Sequence, residues 1–381
     1  MILTLIIFIL LLSVLVLIHE LGHFLAAKRA GITVEEFGLG LPPRVWGKKI
    51  RETIYSINAL PFGGFVKLQG EDPTDEKKLL PDSFYAKSLP WRTLVILSGV
   101  LMNFLLGVVL FYLVLALTGF RAELPLFFSH TFRGVDQKNA VMILGVEKDS
   151  PADTAGIKPG DIILTIDGQT VTSADNLRNI VESKKGEKIS ILLRETGTSN
   201  TRVVEATPRV KYEDGPLGIG LGEVALLEYK TVGQKIFSGF SHSENTIEYS
   251  AKIFGGLVAA AVRQGKITPV SQGVAGPIGI AQLTSEVVSL GIIPTLQFAA
   301  LLTLNLAVIN ILPLPALDGG RLFFLGVEAV IRRRIYPNLE RWVNTIGIVI
   351  LIFLVLLITY NDINRIIGAS NLGQKLQQLF R

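Results

Sequence analysis

The chain has 381 residues, enough for two domains or one large one. Hydrophobic residues make up 49% and charged residues 18%, against the ~25% charge of soluble domains, so the composition points to a membrane. The net charge of +5 is too small to argue for nucleic acid, and the absence of cysteine excludes disulfides, thiolate metal ligands and a thiol nucleophile.

Residues 2–18 are apolar except for Ser13, and the run continues through His19-Glu20-Leu21-Gly22-His23 to Ala27. That is the length a membrane-spanning helix needs, so a first span is expected at about residues 2–27. A cleaved signal peptide is the competing reading. It would need basic residues before the apolar run and small residues at its end, where the sequence has H-E-x-x-H. On a helix the two histidines share one face. Their spacing suits two ligands of a tetrahedral zinc, with Glu20 beside them as a candidate base.

Lys28-Arg29 closes this segment. Residues 53–57 and 64–68 read as strands around Pro61-Phe62-Gly63-Gly64. The hairpin between them is apolar for a surface loop. It is either an ordinary buried turn or a loop that dips into the membrane, where irregular backbone is tolerated if it lines a cavity. A second span is expected at residues 94–118, with Gly99, Asn103 and Gly107 on one face. An asparagine at that depth should turn toward the protein interior, as a packing or a catalytic amide.

Charge returns over residues 121–211, which read as one small, mainly β domain. Strands are expected at 141–147, 161–166, 188–194 and 202–207, with a helix at 173–183 and a helix start at Ser150. The run Gly156-Ile157-Lys158-Pro159-Gly160-Asp161-Ile162-Ile163, followed by Asp167-Gly168, resembles a bacterial PDZ domain. Such domains bind extended peptides by strand addition. The resemblance puts the receiving edge at Met142, Ile143, Leu144 and Gly145; a packing domain without a ligand is the alternative.

Residues 212–291 suggest an amphipathic juxtamembrane region, with 232–262 as a helix lying at the interface. The stretch Gly273-Val274-Ala275-Gly276-Pro277-Ile278-Gly279-Ile280 cannot be a plain helix interior. A third span is expected at residues 292–331, broken at Pro313 and Pro315, and it carries Asn305, Asn310 and Asp318. A carboxylate at that depth is costly and therefore a functional candidate. A fourth span at about 343–360 precedes a short polar tail. The expected fold class is thus a multi-pass α-helical membrane protein of four spans with an inserted mainly-β PDZ domain.

Lys and Arg concentrate from Lys28 to Arg92 and again at Arg321, Arg332, Arg333, Arg334 and Arg341. The positive-inside rule puts both regions in the cytoplasm, and the β domain and both termini outside. His130 and His242 then lie outside as well, which leaves Asp318 as the candidate third ligand for His19 and His23.

H-E-L-G-H on a first span, N-I-L-P-L-P-A-L-D-G-G from Asn310 to Gly320, and a PDZ domain between spans two and three together resemble the site-2 protease family. More narrowly, the chain is similar to bacterial RseP-type intramembrane zinc metalloproteases, over essentially its whole length. The resemblance implies one zinc held by His19, His23 and Asp318, with Glu20 as catalytic base. It makes Asn310 an aid to substrate or oxyanion, and matches Gly99 and Asn103 to a G-x-x-x-N pattern in the second span. Asn103, Gly63 and Gly64 would contact substrate, the glycines from a membrane-associated loop. It further implies a location in the bacterial inner membrane, contact with lipid, and transmembrane protein substrates such as anti-sigma factors or signal-peptide remnants. One departure is the single PDZ domain where tandem pairs are common. A non-catalytic adaptor and a transporter with a broken third helix are the other classes. Glu20 together with Asp318 argues against the first, and the lack of an internal repeat against the second.

Overall fold

Backbone amides in lipid find no outside partner, so an apolar run satisfies them within a helix. In the computed structural model, which describes residues 2–71, 76–195, 200–211, 215–266, 268–335 and 337–379, four helices are long and apolar enough to cross a bilayer: Ile6–Arg29, Leu89–Leu117, Ile292–Ile311 and Leu339–Asn364. The chain divides into two compact units, one of Met1–Phe111 with Thr246–Arg381 and one of Tyr112–Asn245.

The first unit begins with α1 (Ile2–Arg29), followed by β1 (Val34–Ile50) and β2 (Thr53–Leu68). The expected hairpin is larger than its two short strands. β1 and β2 each bend back, so Phe37 pairs with both Val66 and Tyr55, while Lys48 also pairs with Tyr55. Four segments therefore lie side by side in the order 64–68, 34–39, 53–57, 44–50. Composition hid β1, because Gly38, Gly40, Pro42, Pro43 and Gly47 suggest a loop. The hairpin tip lies against the middle of α1: Ser13 Oγ donates to the Pro61 carbonyl at 2.8 Å. At ~1.5 Å per residue, Ser13 is about 22 Å from the basic end of α1. α2 (Leu89–Leu117) follows.

The second unit has its own apolar core. It holds β3 (Arg121–Leu126), β4 (Asp136–Val146), α3 (Pro151–Thr154), β5 (Ile162–Ile166), β6 (Gln169–Thr170), α4 (Ala174–Ser183), β7 (Ile189–Arg194), β8 (Thr201–Ala206), β9 (Ile219–Glu228) and α5 (Val232–Ile236). The antiparallel sheet runs β3-β9-β4-β5-β7-β8, with β6 beside β5. Ser150 and Ser173 cap α3 and α4 by accepting from the amides of Asp153 and Asn176. Val141, Ile143, Ile163, Ile166, Leu177 and Leu193 are among the fully enclosed residues between sheet and helices. The sheet continues to Glu228, past the expected boundary at residue 211, because β9 with β4 supplies its longest ladder.

The expected interfacial helix is two: α5 and α6 (Ser238–Gln264). α7 (Thr268–Gly273) and α8 (Pro277–Ser289) flank the Gly-Pro break. Pro277 stands in the first turn of α8, where a missing N–H costs nothing, and the Gly279 amide donates to the buried Asp362 carboxylate at 2.7 Å. α9 (Ile292–Ile311) and α10 (Asp318–Ile331) are the two halves of the broken third segment, of which only α9 is long enough to span. α11 (Pro337–Leu379) holds the fourth span and continues as helix through the polar residues that follow it.

Candidate active site

α1 places His19 and His23 one turn apart, and both are buried. Their Nε2 atoms lie 3.1 Å apart. Pro313 and Pro315 prevent α9 from continuing past Ile311, and the chain restarts at α10, whose first residue is Asp318. Its Oδ2 lies 3.0 Å from His19 Nε2 and 3.3 Å from His23 Nε2. This is the one group of three potential metal-ligating side chains that converge in this way among the described residues.

The state of the donors can be read from their surroundings. His23 Nδ1 meets the Val95 carbonyl at 2.8 Å, so Nδ1 carries the proton and Nε2 keeps its lone pair. Asp318 Oδ2 is buried and has no hydrogen-bond partner. Three lone pairs thus face one point at separations of 3.0–3.3 Å. With bonds of ~2.0–2.1 Å, a tetrahedral metal would separate its ligands by about 3.3 Å. The set fits a divalent ion such as zinc.

Two glycines make this approach possible. A Cβ on Gly99 would stand 2.4 Å from His23 Nε2 and 2.8 Å from His19 Cε1. A Cβ on Gly22 would meet the Ser98 carbonyl oxygen at 2.3 Å. The glycine inside H-E-L-G-H therefore admits α2, and Gly99 on α2 admits the imidazoles.

Asn103, expected at the substrate, lies beside His19. It is 1% exposed, with Nδ2 3.4 Å from His19 Nδ1, and its Oδ1 is buried without a partner. Turning the amide end for end lets Oδ1 accept from His19 Nδ1–H and satisfies both groups. Asn103 then orients His19. Val95, Gly99 and Asn103 recur at i, i+4, i+8 on α2, a spacing from which the Val95 carbonyl could have been anticipated. Asn310, in the last turn of α9, brings Nδ2 to 3.4 Å from His19 Nε2.

Glu20 turns to the hairpin, where its Oε2 accepts from the Val66 amide at 3.1 Å. A Cβ on Gly63 would meet Val16 at 3.1 Å, and one on Gly64 would meet the Gly38 carbonyl oxygen at 2.9 Å and the Glu20 side chain at 3.8 Å. The outer hairpin segment 64–68 therefore runs directly past the candidate base.

In the second unit the expected receiving edge is not an edge. Met142 pairs with Gly222 on one side and Ile162 on the other, and Ile143 also exchanges hydrogen bonds with Asp161 and Gly160. Met142 and Ile143 are therefore interior to the sheet, whereas Leu144 and Gly145 lie beyond its pairing with β5 and Gly145 pairs with Gly220 of β9. Among the described residues, no strand pairs with residues 219–222 of β9 on the side away from β4, since β3 covers only Glu223 to Glu228. The signal was periodicity across residues 219–228, beyond the expected domain end.

Residues 7–354 match the model of peptidase family M50. The chain is similar to the zinc metalloprotease RasP of Geobacillus kaustophilus, 31% identical over 94% of this chain and 97% of that one. It is also similar to the zinc metalloprotease RasP of Shouchella clausii, 29% identical over 95% and 99%, and to the regulator of sigma-W protease RasP of Bacillus subtilis, 28% identical over 95% and 99%. A PDZ domain structure from an SdrC-like protein of Listeria monocytogenes matches 25% of this chain and 93% of that one, at 24% identity and a TM-score of 0.19. The chain belongs to peptidase family M50, the site-2 proteases, and is a zinc metalloprotease of the bacterial inner membrane.

Proposed function

We propose that this enzyme hydrolyses peptide bonds within or beside the transmembrane segments of single-span substrates, with His19, His23 and Asp318 as the zinc ligands and Glu20 as the base. The observation that carries the reading is the convergence of those three donor atoms at the depth of the first span. When bound, zinc would polarise the scissile carbonyl and strengthen water as a nucleophile at neutral pH. Glu20 would take the proton from that water and return it to the leaving amine. Asn310 would donate its amide N–H to the carbonyl oxygen as charge develops there. A helix has no free carbonyl to offer, so the substrate must unwind. Segment 64–68, reached through Gly63 and Gly64, would hold it as an added strand.

The substrates we favour are remnants left in the bilayer by an earlier cut, such as signal peptides or anti-sigma factors. The active site faces the cytoplasmic half of the membrane and the PDZ-type domain the other side, where its β9 edge would take extended peptide. Glu20→Gln tests the core of this reading. Expected are a zinc content near one per chain and loss of cleavage of a tagged signal-peptide remnant. Retained cleavage would remove Glu20 from its role, and His23→Ala protein that keeps its zinc would remove the ligand set.

A further inference from the structure

Among the described residues, segment 64–68 pairs only with segment 34–39 and so is an edge of the hairpin, yet its outward amides are not idle. Residues two apart on a strand point their N–H groups to the same side. Val66 gives its amide to Glu20 Oε2 at 3.1 Å, and Leu68 gives its amide to Glu71 Oε2 at 3.3 Å. The other oxygen of Glu71, Oε1, accepts from Arg321 Nη1. Arg321 lies on α10, three residues and hence one turn after Asp318. One carboxylate therefore links the end of the edge strand to the helix that begins with the third metal-ligating candidate. A second ion pair holds the same helix from another direction: Glu328, seven residues beyond Arg321, pairs with both terminal nitrogens of Arg92 at the start of α2, at 2.6 and 3.0 Å.

We propose that Glu71 and Arg321 are positioning residues that set where a bound substrate strand lies relative to the metal, and so which peptide bond is cut. The inference rests on the proposed reading of segment 64–68 as the strand that receives substrate. Glu20 fixes the strand at Val66 and Glu71 fixes it at Leu68. During the reaction Glu20 must leave the Val66 amide to handle protons, and the Glu71–Arg321 link then remains to keep the strand in register with α10. A strand that slips by one residue reverses which groups face outward, so a loosened link changes the bond presented to the site as well as the rate.

The test uses the full-length enzyme in detergent micelles, a tagged signal-peptide remnant as substrate, and mass spectrometry of the products. Wild type should cut at one bond. Glu71→Gln keeps an acceptor for Leu68 but loses the charge that Arg321 meets. It should lower kcat/KM about 10- to 100-fold, the range that small misplacements produce, and spread the cut over neighbouring bonds with zinc content unchanged. Arg321→Met should do the same, and serves where Glu71→Gln does not accumulate; Arg321→Lys should restore a single cut. Variants that cut at the wild-type bond alone, whatever their rate, would overturn the proposal. So would an equal spread of products from Arg92→Met, since a general loosening of α10 would then suffice. Failure of wild type and Glu20→Gln to differ in cleavage would instead remove Glu20 from the proposed function on which the inference rests.

Discussion

A single methyl group decides whether the candidate metal site can exist. Gly99 leaves room for two imidazoles that a Cβ would contact at 2.4 and 2.8 Å, well inside van der Waals separation. Neither ring has an easy retreat, because His23 is held at Nδ1 by the Val95 carbonyl and His19 faces Asn103. Gly99→Ala should therefore displace the Nε2 atoms, and purified protein should contain far less than one zinc per chain. Alanine suits a helix better than glycine by about 1 kcal/mol, so the span itself should persist. A normal circular dichroism spectrum with lost zinc is the expected result; full zinc content would show that the site can repack. Asn103→Leu is a gentler change. It removes the hydrogen bond behind His19 while leaving all three donor atoms in place. Loss of such a supporting partner typically weakens metal affinity about 10- to 100-fold, which a chelator competition assay would register.

The elements most legible in the sequence were those specified by local pattern. α1, α2 and α9 follow from apolar length, and α4 from a serine cap and a 3.6-residue period. The convergence of His19, His23 and Asp318 was legible because two histidines and a glutamate in an apolar run demand compensation, and the broken third segment offers a carboxylate. What local pattern could not give was pairing. β1 is interrupted by glycines and prolines that read as a loop, and only the doubled register with β2 makes it a strand. That Met142 and Ile143 are central and not at an edge was hidden for the same reason: it depends on β9, more than seventy residues later. His242 was set aside because the expected topology puts it outside the membrane, and it has a different consequence, at the junction of β9 and α6. Tyr229 Oη and His242 Nδ1 lie 3.1 Å apart, and complete burial pushes the imidazole down to about 4. The folded unit thus refuses a proton that the unfolded chain accepts below its ordinary value of about 6.5. Stability should be level above that pH, fall as pH drops from about 6.5 to about 4, and flatten again below, with a slope of up to ~1.4 kcal/mol per pH unit. Thermal melts of the whole protein at pH 7.5 and 5.0 would measure it. His242→Gln should be less stable at pH 7.5 yet lose part of the pH dependence; an unchanged pH difference would assign the effect to other groups.

At the scale of the whole molecule the open question is which side of the membrane each unit occupies. Four spans make the two basic regions, from Lys28 to Arg92 and from Arg332 to Arg341, share one side, and the loop that holds the β domain is too long for its own charges to decide. The cytoplasmic leaflet is anionic, and each Lys or Arg near its surface is favoured there by ~1 kcal/mol. The basic regions together hold enough such residues for their sum to dominate any single misplaced charge. The chain lacks cysteine, so one introduced thiol reports on its own position without background. Lys48 on the opposite hairpin edge, segment 44–50, Arg333 after α10 and Lys138 on β4 are all exposed. In spheroplasts, Lys138→Cys should react with a membrane-impermeant maleimide at once. Lys48→Cys and Arg333→Cys should react only after the membrane is opened. The reverse pattern would invert the orientation and put the metal site toward the outer half of the bilayer. Reaction of Lys48→Cys and Lys138→Cys from the same side would contradict the second span. The expected pattern has a mechanistic consequence: a substrate trimmed outside the cell would meet the β domain first, and its span would reach His19 and His23 only near the inner surface, so its newly made end would be released to the cytoplasm.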